Sequence, residues 1–542
     1  MIFERVLKVK ASFPFLVLFI AVVALCLNVR AEVNRKYVIG EGHDLMHIAR
    51  HGVDLYAKFA ERLRDVGLDG IAISLPGVEV DGPLLSTSDF DRWRADVASA
   101  ARILPQSVLR VGLTMKRRID WDDDSGWDRI ARNLGLLARF ARETGLKGFV
   151  LDEEDYRETK QFFAHPNDGE YPIVAEKSRR RGRQVFAEVF REYPDIRFHC
   201  SWLFSTIQKW HAWAVPERGD DLAAIKRSFG ELWLDFINGC IDVIPPTARL
   251  CEGGEERGYH GLMEKNEFEI AAWRASRGSL ELVAPENRGR FLANLSVSFG
   301  QYCDMYTNPK TDRFRDYYIA SYAGSRLTHF RFNLKRALEV CDDFVWIYGE
   351  KGTWIDWQRD LSKPPRVETE PAFYLKTWDE QLPGFNRAIK IAKGDYSPLE
   401  EEILDGTLEL QMDEIGRWSR DEKYEEDRFV EREGVYRLKG SGCFTKSITV
   451  KPGDDVYLKC DVVGNNPRIG INLLENGKSN QDKFGRSIVV VPSEGWNRHK
   501  WTEVVYHLLV PESVTSVQFT LGGPCDAESP NYFRNLRVYR NR

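Results

Sequence analysis

No two of the nine cysteines in this chain are separated by only two residues, which argues against the paired ligands of a structural zinc site. Basic residues are not in excess either. The 77 lysines and arginines are outnumbered by 82 acidic side chains, and the formal net charge is -5. This balance argues against a nucleic-acid partner.

Two motifs of other α/β proteins are also missing. No glycine-rich phosphate loop follows any of the early apolar runs, which disfavours a doubly wound nucleotide-binding sheet. No His-x-His pair marks the first strand, as it usually does in barrel metallohydrolases.

The N-terminus has the pattern of a signal peptide over residues 1–31. Arg5, Lys8 and Lys10 precede the apolar stretch FPFLVLFIAVVALCL, and the small residues Val29 and Ala31 follow at the positions that a signal peptidase reads. We expect a secreted or periplasmic protein, with the cell surface as an alternative location. No integral membrane association is expected after cleavage, although an uncleaved anchor stays open.

Residues 32–395 alternate short apolar runs with amphipathic helical stretches. Such alternation predicts an α/β fold, a (β/α)8 TIM barrel, with an open doubly wound sheet as the competitor. The eight runs are YVIG, GIAISL, VLRVGLT, LKGFVL, IRFHCSWLF, GCIDVI, LANLSVSF and DFVWIY.

The C-terminal part has a different pattern. Residues 396–428 are acidic and weakly patterned, which is typical of a linker or a surface excursion. Residues 429–542 contain short alternating strands separated by Gly, Asn and Pro, and they predict an all-β sandwich or jelly roll. The ending YFRNLRVYR resembles the closing strand of carbohydrate-binding modules, and the alternative is a purely structural module.

Acidic and aromatic residues follow the ends of several predicted strands. In a barrel these ends meet at the C-terminal face, where catalysis takes place. The fourth run ends in LDEEDY, in which Asp152 and Glu154 are expected to share one face of the strand. Two carboxyl groups held close together have pKa values that are driven apart, as acid and base catalysis require.

The Asp-x-Glu-x-Tyr sequence resembles the strand-four motifs of several (β/α)8-barrel glycoside hydrolases, and EGGEERGY after the sixth run is loosely similar to a strand-six acid in one of their clans. This resemblance implies a glycoside hydrolase that acts on a poly- or oligosaccharide through carboxyl groups, without an organic cofactor. Neither a family nor a stereochemical outcome follows from it. The predicted catalytic residues are Asp152, Glu154 and Glu255. The predicted substrate-binding residues are Tyr156, His199, Trp202, Tyr259, Glu350 and Trp354.

Other functions remain open at this point. His43, His47 and His51 would form one stripe of a helix and suit a metal-dependent hydrolase or deacetylase. A barrel that binds carbohydrate without catalysis, or a surface adhesion protein, would have much the same composition. Neither the oligomeric state nor the sugar follows from the sequence.

Overall fold

A computed structural model describes the chain over residues 36–152, 159–205, 207, 219–255, 262, 265–311, 317–320, 326–357, 376–394, 409–410, 429–432, 435–438, 444–479, 488–492, 499–523 and 530–541. The predicted signal peptide lies outside these residues. In the part of the chain that is described, none of the helices combines the length and the apolar character needed to span a bilayer.

The chain from Tyr37 to Tyr348 forms a barrel of parallel strands, as the sequence predicts. Strands follow one another around the sheet in chain order, and β9 pairs with β1. The seventh position is occupied by two short strands, β7 and β8, of which β7 pairs with β6 and β8 pairs with β9. The strands are β1 (Tyr37–Gly40), β2 (Gly70–Ile73), β3 (Val108–Gly112), β4 (Gly148–Asp152), β5 (Arg197–Cys200), β6 (Arg249–Glu252), β7 (Leu295–Val297), β8 (Gly300–Tyr302) and β9 (Phe344–Tyr348).

Helices surround the barrel and bury their apolar faces against its outer side. One of the two longest, α4, carries its apolar residues at intervals of three and four, and they are buried as the periodicity predicts. The helices are α1 (His43–His51), α2 (Asp54–Val66), α3 (Asp91–Ile103), α4 (Asp124–Thr144), α5 (Tyr171–Glu192), α6 (Leu222–Phe229), α7 (Trp233–Val243), α8 (Lys265–Ser276), α9 (Arg288–Asn294), α10 (Asp304–Thr307), α11 (Arg326–Val340), α12 (Trp378–Gln381) and α13 (Phe385–Lys393).

The predicted sixth strand is wrong. The run GCIDVI lies in α7, and the strand is formed by RLCE a few residues later. Helix α7 packs so tightly against α5 that a Cβ at Gly239 would lie 2.1 Å from the carbonyl oxygen of Arg179. Burial of most of the helix surface removes the polar positions that would have shown a helical period.

Side chains on alternate strand positions point into the barrel. Ile39, Cys251, Phe344 and Trp346 come from β1, β6 and β9 and form one buried cluster. Because β6 and β1 are not neighbours in the sheet, their side chains can belong to one cluster only if they point into the barrel interior. The same alternation sends the last side chain of β4, Asp152, toward the axis at the C-terminal end.

The C-terminal region is a β-sandwich, again as predicted. Two antiparallel sheets enclose a separate apolar core. One sheet has the order β10-β13-β19-β15-β16, with β17 also pairing with β15, and the other has the order β11-β12-β20-β14-β18. The strands are β10 (Glu409–Leu410), β11 (Phe429–Arg432), β12 (Val435–Leu438), β13 (Phe444–Thr449), β14 (Asp455–Val463), β15 (Arg468–Glu475), β16 (Lys478–Ser479), β17 (Ile488–Val490), β18 (Thr502–Leu509), β19 (Ser516–Gly522) and β20 (Asn531–Asn541).

Barrel and sandwich share a buried interface. Leu509 at the end of β18 belongs to the apolar core of the barrel. Arg387 of α13 donates to the carbonyl oxygen of Gly453 at 2.9 Å. Arg331 of α11 is 4 % exposed, and its guanidinium lies 5.9 Å from the ring centre of Tyr506. The sandwich thus packs directly on the helices of the barrel.

Candidate active site

Four charged or titratable side chains from four strands form a chain across the C-terminal end of the barrel. Arg110 donates to Asp152 Oδ2 at 2.7 Å and to Glu41 Oε2 at 3.1 Å. The other oxygen of Glu41 lies 3.0 Å from His199 Nδ1. Since these residues come from β3, β4, β5 and the position directly after β1, only the barrel interior brings them together.

The chain is held below the surface of the mouth. Glu41 and His199 are each 2 % exposed. Burial alone would raise the pKa of Glu41, but His199 and Arg110 outweigh it, and the pKa of Glu41 lies below its usual value. Arg110 therefore bridges two carboxylates, of which Asp152 is the outer one.

Asp152 points toward the barrel axis, where Arg110 contacts it. Its predicted partners Glu154 and Tyr156 lie outside the described residues, so their positions stay predictions. A carboxylate that accepts a charge-assisted hydrogen bond from arginine suits the role of nucleophile or base more than that of proton donor.

The turn after β6 carries Glu255. Gly253 packs against β5, where a Cβ would lie 2.3 Å from the carbonyl oxygen of Cys200, and Gly254 has a positive φ of 60°. Both positions therefore require glycine, and the close approach is to the neighbouring strand. The half-buried Glu255 acts electrostatically on Tyr348, which places the two groups near each other. Tyr259 lies outside the described residues.

A second acidic group lies where β8 and β9 end. Asp304 is fully buried and accepts hydrogen bonds from the backbone amides of Glu350 and Lys351, each at 3.1 Å. Burial raises the pKa of Asp304 to about 6, although the Tyr302 hydroxyl and these amides act in the opposite direction. Asp304 therefore fixes the turn that carries Glu350.

Tyr348 lies among these carboxyl groups. Its hydroxyl is 3.3 Å from Glu350 Oε1, its ring stacks on Tyr302, and His43 meets it edge to face with ring centres 6.1 Å apart. Burial, and then the charge of Glu350, raises the pKa of the Tyr348 phenol well above its usual value. The phenol thus stays protonated and able to donate a hydrogen bond to a carboxylate.

Three predicted substrate-binding residues are corrected. Trp202 is 3 % exposed and Trp354 is 2 % exposed, so neither offers a free ring face to a sugar. Trp354 instead ties the barrel to α1, since its backbone amide donates to Asp44 Oδ2 at 2.8 Å and its indole N–H to the carbonyl oxygen of Glu41 at 3.0 Å. His199 is the buried partner of Glu41 and lies beneath the mouth, not on its surface. Glu350 is half-buried beside Tyr348 and stays a prediction.

The sequence interpretation missed Glu41, Arg110 and Tyr348 as members of the site. Arg110 interrupts an apolar strand, VLRVG, and a cation in such a place needs buried partners. Glu41 directly follows β1, at the rim where functional residues collect. Both signals were present in the sequence.

The histidine stripe forms as predicted, because α1 spans His43–His51 and the rings of His43 and His47 are 6.1 Å apart. Over the described residues, no group of three or more His, Cys, Asp or Glu side chains is arranged to hold a metal ion.

No protein-family model and no curated protein matches this chain. Among solved structures, a family 39 glycoside hydrolase from Bacteroides cellulosilyticus WH2 is 13 % identical, and the match covers 90 % of this chain and 81 % of that one with a TM-score of 0.37. The GH5_18 structure from Streptomyces cattleya in complex with GlcNAc is 12 % identical over 68 % of this chain and 83 % of that one, with a TM-score of 0.39. The CBM22-1 xylan-binding domain of Paenibacillus barcinonensis Xyn10C is 11 % identical over 27 % of this chain and 99 % of that one, with a TM-score of 0.18. Similarity of this degree does not carry an activity over to this chain.

Proposed function

We propose that the protein is an exported glycoside hydrolase that cleaves a poly- or oligosaccharide at the C-terminal mouth of its barrel. The observation that carries the proposal is the convergence of carboxyl groups from different strands on one mouth, where Arg110 pairs with Asp152 and the Tyr348 hydroxyl donates to Glu350. Glycoside hydrolysis needs two carboxyl groups with different protonation states on either side of the scissile bond.

In this proposal Asp152 is the ionised group. Arg110 donates a hydrogen bond of 2.7 Å to Asp152 Oδ2, and this bond holds the carboxylate toward the barrel axis. Asp152 either attacks the anomeric carbon or takes a proton from the attacking water, according to whether the enzyme retains or inverts configuration.

Glu255 is proposed as the partner acid. It lies on the turn after β6, two strands from β4, and is half-buried. Its carboxyl proton passes to the glycosidic oxygen as the bond between that oxygen and the anomeric carbon breaks. Glu350 is the alternative partner, and Glu154 remains a proposed second acid of β4.

A screen of the purified protein against polysaccharides and aryl glycosides, with product anomers read by NMR, tests the proposal. We expect turnover of at least one neutral glycan, loss of turnover in Asp152→Asn, and no effect of a chelator. Glycan binding without turnover would show a carbohydrate-binding protein instead. Activity abolished by chelation and restored by a divalent metal would show a metal-dependent hydrolase.

A further inference from the structure

Four aromatic rings form a continuous wall on the β8 and β9 side of the mouth. Ring centres of Trp346 and Tyr348 are 6.4 Å apart, those of Tyr348 and Tyr302 are 5.7 Å apart, and those of Tyr302 and Tyr317 are 5.9 Å apart. Tyr348 and Tyr302 are stacked, whereas Tyr317 meets Tyr302 at 78°. We call these four residues the aromatic wall.

The aromatic wall leads from the barrel interior to solvent. Trp346 at its base is 3 % exposed, Tyr348 and Tyr302 are half-buried, and Tyr317 at its outer end is 37 % exposed. Tyrosine combines an apolar ring with a hydroxyl that needs a polar partner, which suits it to a surface that receives an amphipathic ligand.

Hydrogen bonds fix the outer end of the wall. Asn308 donates to the carbonyl oxygen of Tyr317 at 2.9 Å and accepts from Lys351 Nζ at 2.7 Å. The backbone amide of Lys351 in turn donates to Asp304. Tyr317, α10 and the turn that carries Glu350 therefore form one connected unit. Because such a unit is already ordered, little conformational entropy is lost when a ligand binds to it, and the affinity is reduced less.

We propose that the aromatic wall is a binding subsite for a neutral pyranose residue of the glycan, next to the catalytic carboxyl groups. The apolar C–H face of the sugar ring packs on the tyrosines, and a sugar hydroxyl donates to Glu350. A uronate or sulfated sugar would bring its negative charge against Glu350 and Glu255 and is disfavoured. This inference rests on the proposed function and deepens it by naming the surface that holds the substrate.

The test measures binding with calorimetry to Asp152→Asn protein, so that hydrolysis does not interfere. The probes are cellohexaose, xylohexaose, mannohexaose and N-acetylchitohexaose as neutral oligosaccharides, and hexagalacturonate as the anionic one. We expect Tyr317→Ala in this background to weaken binding of the preferred neutral probe about tenfold or more, and Tyr317→Phe to recover most of that loss because the ring is retained. Trp273→Ala removes another exposed aromatic, on α8, and is expected to bind as the parent does.

Equal binding by Tyr317→Ala and its parent would overturn the proposal, as would tighter binding of hexagalacturonate than of any neutral probe. Thermal unfolding of each variant shows whether a loss reflects the surface or the fold. If the wild type cleaves glycans but Tyr317→Ala does not weaken binding, the proposed subsite is wrong and the proposed function still stands. If the wild type neither binds nor cleaves any of the probes, the proposed function fails with it.

Discussion

Arg110 joins Asp152, the last residue of β4, to Glu41, the residue after β1, through one guanidinium. Each terminal nitrogen of the guanidinium donates to one carboxylate, so a single arginine side chain connects the two acids inside the barrel. The hydrogen bond from Arg110 thus fixes the position of the Asp152 carboxylate at the mouth of the barrel.

Replacing Arg110 by Met is expected to lower turnover. Without the guanidinium, Asp152 loses the donor that holds its carboxylate toward the axis, and Glu41 loses one of its partners. The folded state also loses stability, since removing one partner of a buried ion pair costs about 3–5 kcal/mol. Arg110→Lys keeps the charge but not the two-pronged geometry and should fall between Met and wild type. Turnover and denaturant unfolding measure the two effects, and wild-type values of both in Arg110→Met would contradict this account of Asp152.

Glu255→Ala is expected to be slow on natural glycosides, because their leaving groups depend on a proton donor. On aryl glycosides with good leaving groups the variant should respond to added azide, either by rescue or by forming a glycosyl azide whose stereochemistry reports the mechanism. Product analysis by NMR measures both. A Glu255→Ala enzyme with wild-type rates would move the role to Glu350.

The sequence alone predicted most of the fold. Eight apolar runs with intervening helices were sufficient for the barrel, and alternating strands were sufficient for the sandwich. The sixth strand was missed because α7, pressed against α5 at Gly239, is buried too completely to show a helical period. Apolar residues from Leu222 to Phe236 recur at intervals of three and four, but this stretch is divided into α6 and α7 at Gly230, whose φ is +66°.

The candidate site was predictable only where a residue ends a strand. Alternation along β4 turns Asp152 toward the barrel axis, and its catalytic role stays a prediction. Trp202 and Trp354 were misread as exposed rings, since the sequence does not show how tightly a loop folds over the barrel. Among the described residues of the aromatic wall, the most exposed ring is that of Tyr317, which belongs to a connection after β8 and not to a strand, so strand alternation could not place it beside Tyr302.

Asp304 should make folding stability fall as the pH rises from about 4 to about 6. Its pKa is about 6 in the folded protein against 3.8 for the ordinary group, so the stability present below pH 3.8 is lost as Asp304 ionises. At about 1.4 kcal/mol per pH unit, the loss is about 3 kcal/mol. The stability of Asp304→Asn should not show this loss as the pH rises, because the amide does not ionise. Denaturant unfolding of both proteins at pH 4 and pH 6.5 measures the difference, and a constant difference at the two pH values would contradict the assignment. Asp65→Asn, at an exposed position on α2, is the control.

Deleting residues 429–542 is expected to give insoluble or heat-labile protein. The deletion exposes barrel surface that Leu509 covers and leaves the buried Arg331 without Tyr506. Expression yield and thermal unfolding measure the effect. A soluble, stable barrel that cleaves small glycosides but acts poorly on polymer would instead show a tethered binding module, which acts by raising the effective concentration of substrate.

The most direct test of the central claim is the turnover of Asp152→Asn on the glycan that the wild type cleaves best, compared with Asp65→Asn. The account predicts a loss of roughly a hundredfold or more for Asp152→Asn, because general acid–base catalysis contributes about 10²–10⁴-fold and the loss of a nucleophile costs more. Asp65→Asn should retain wild-type turnover, and both variants should unfold cooperatively. An Asp152→Asn protein within tenfold of wild-type turnover would contradict the claim that chemistry takes place at this mouth through the strand-four carboxylate.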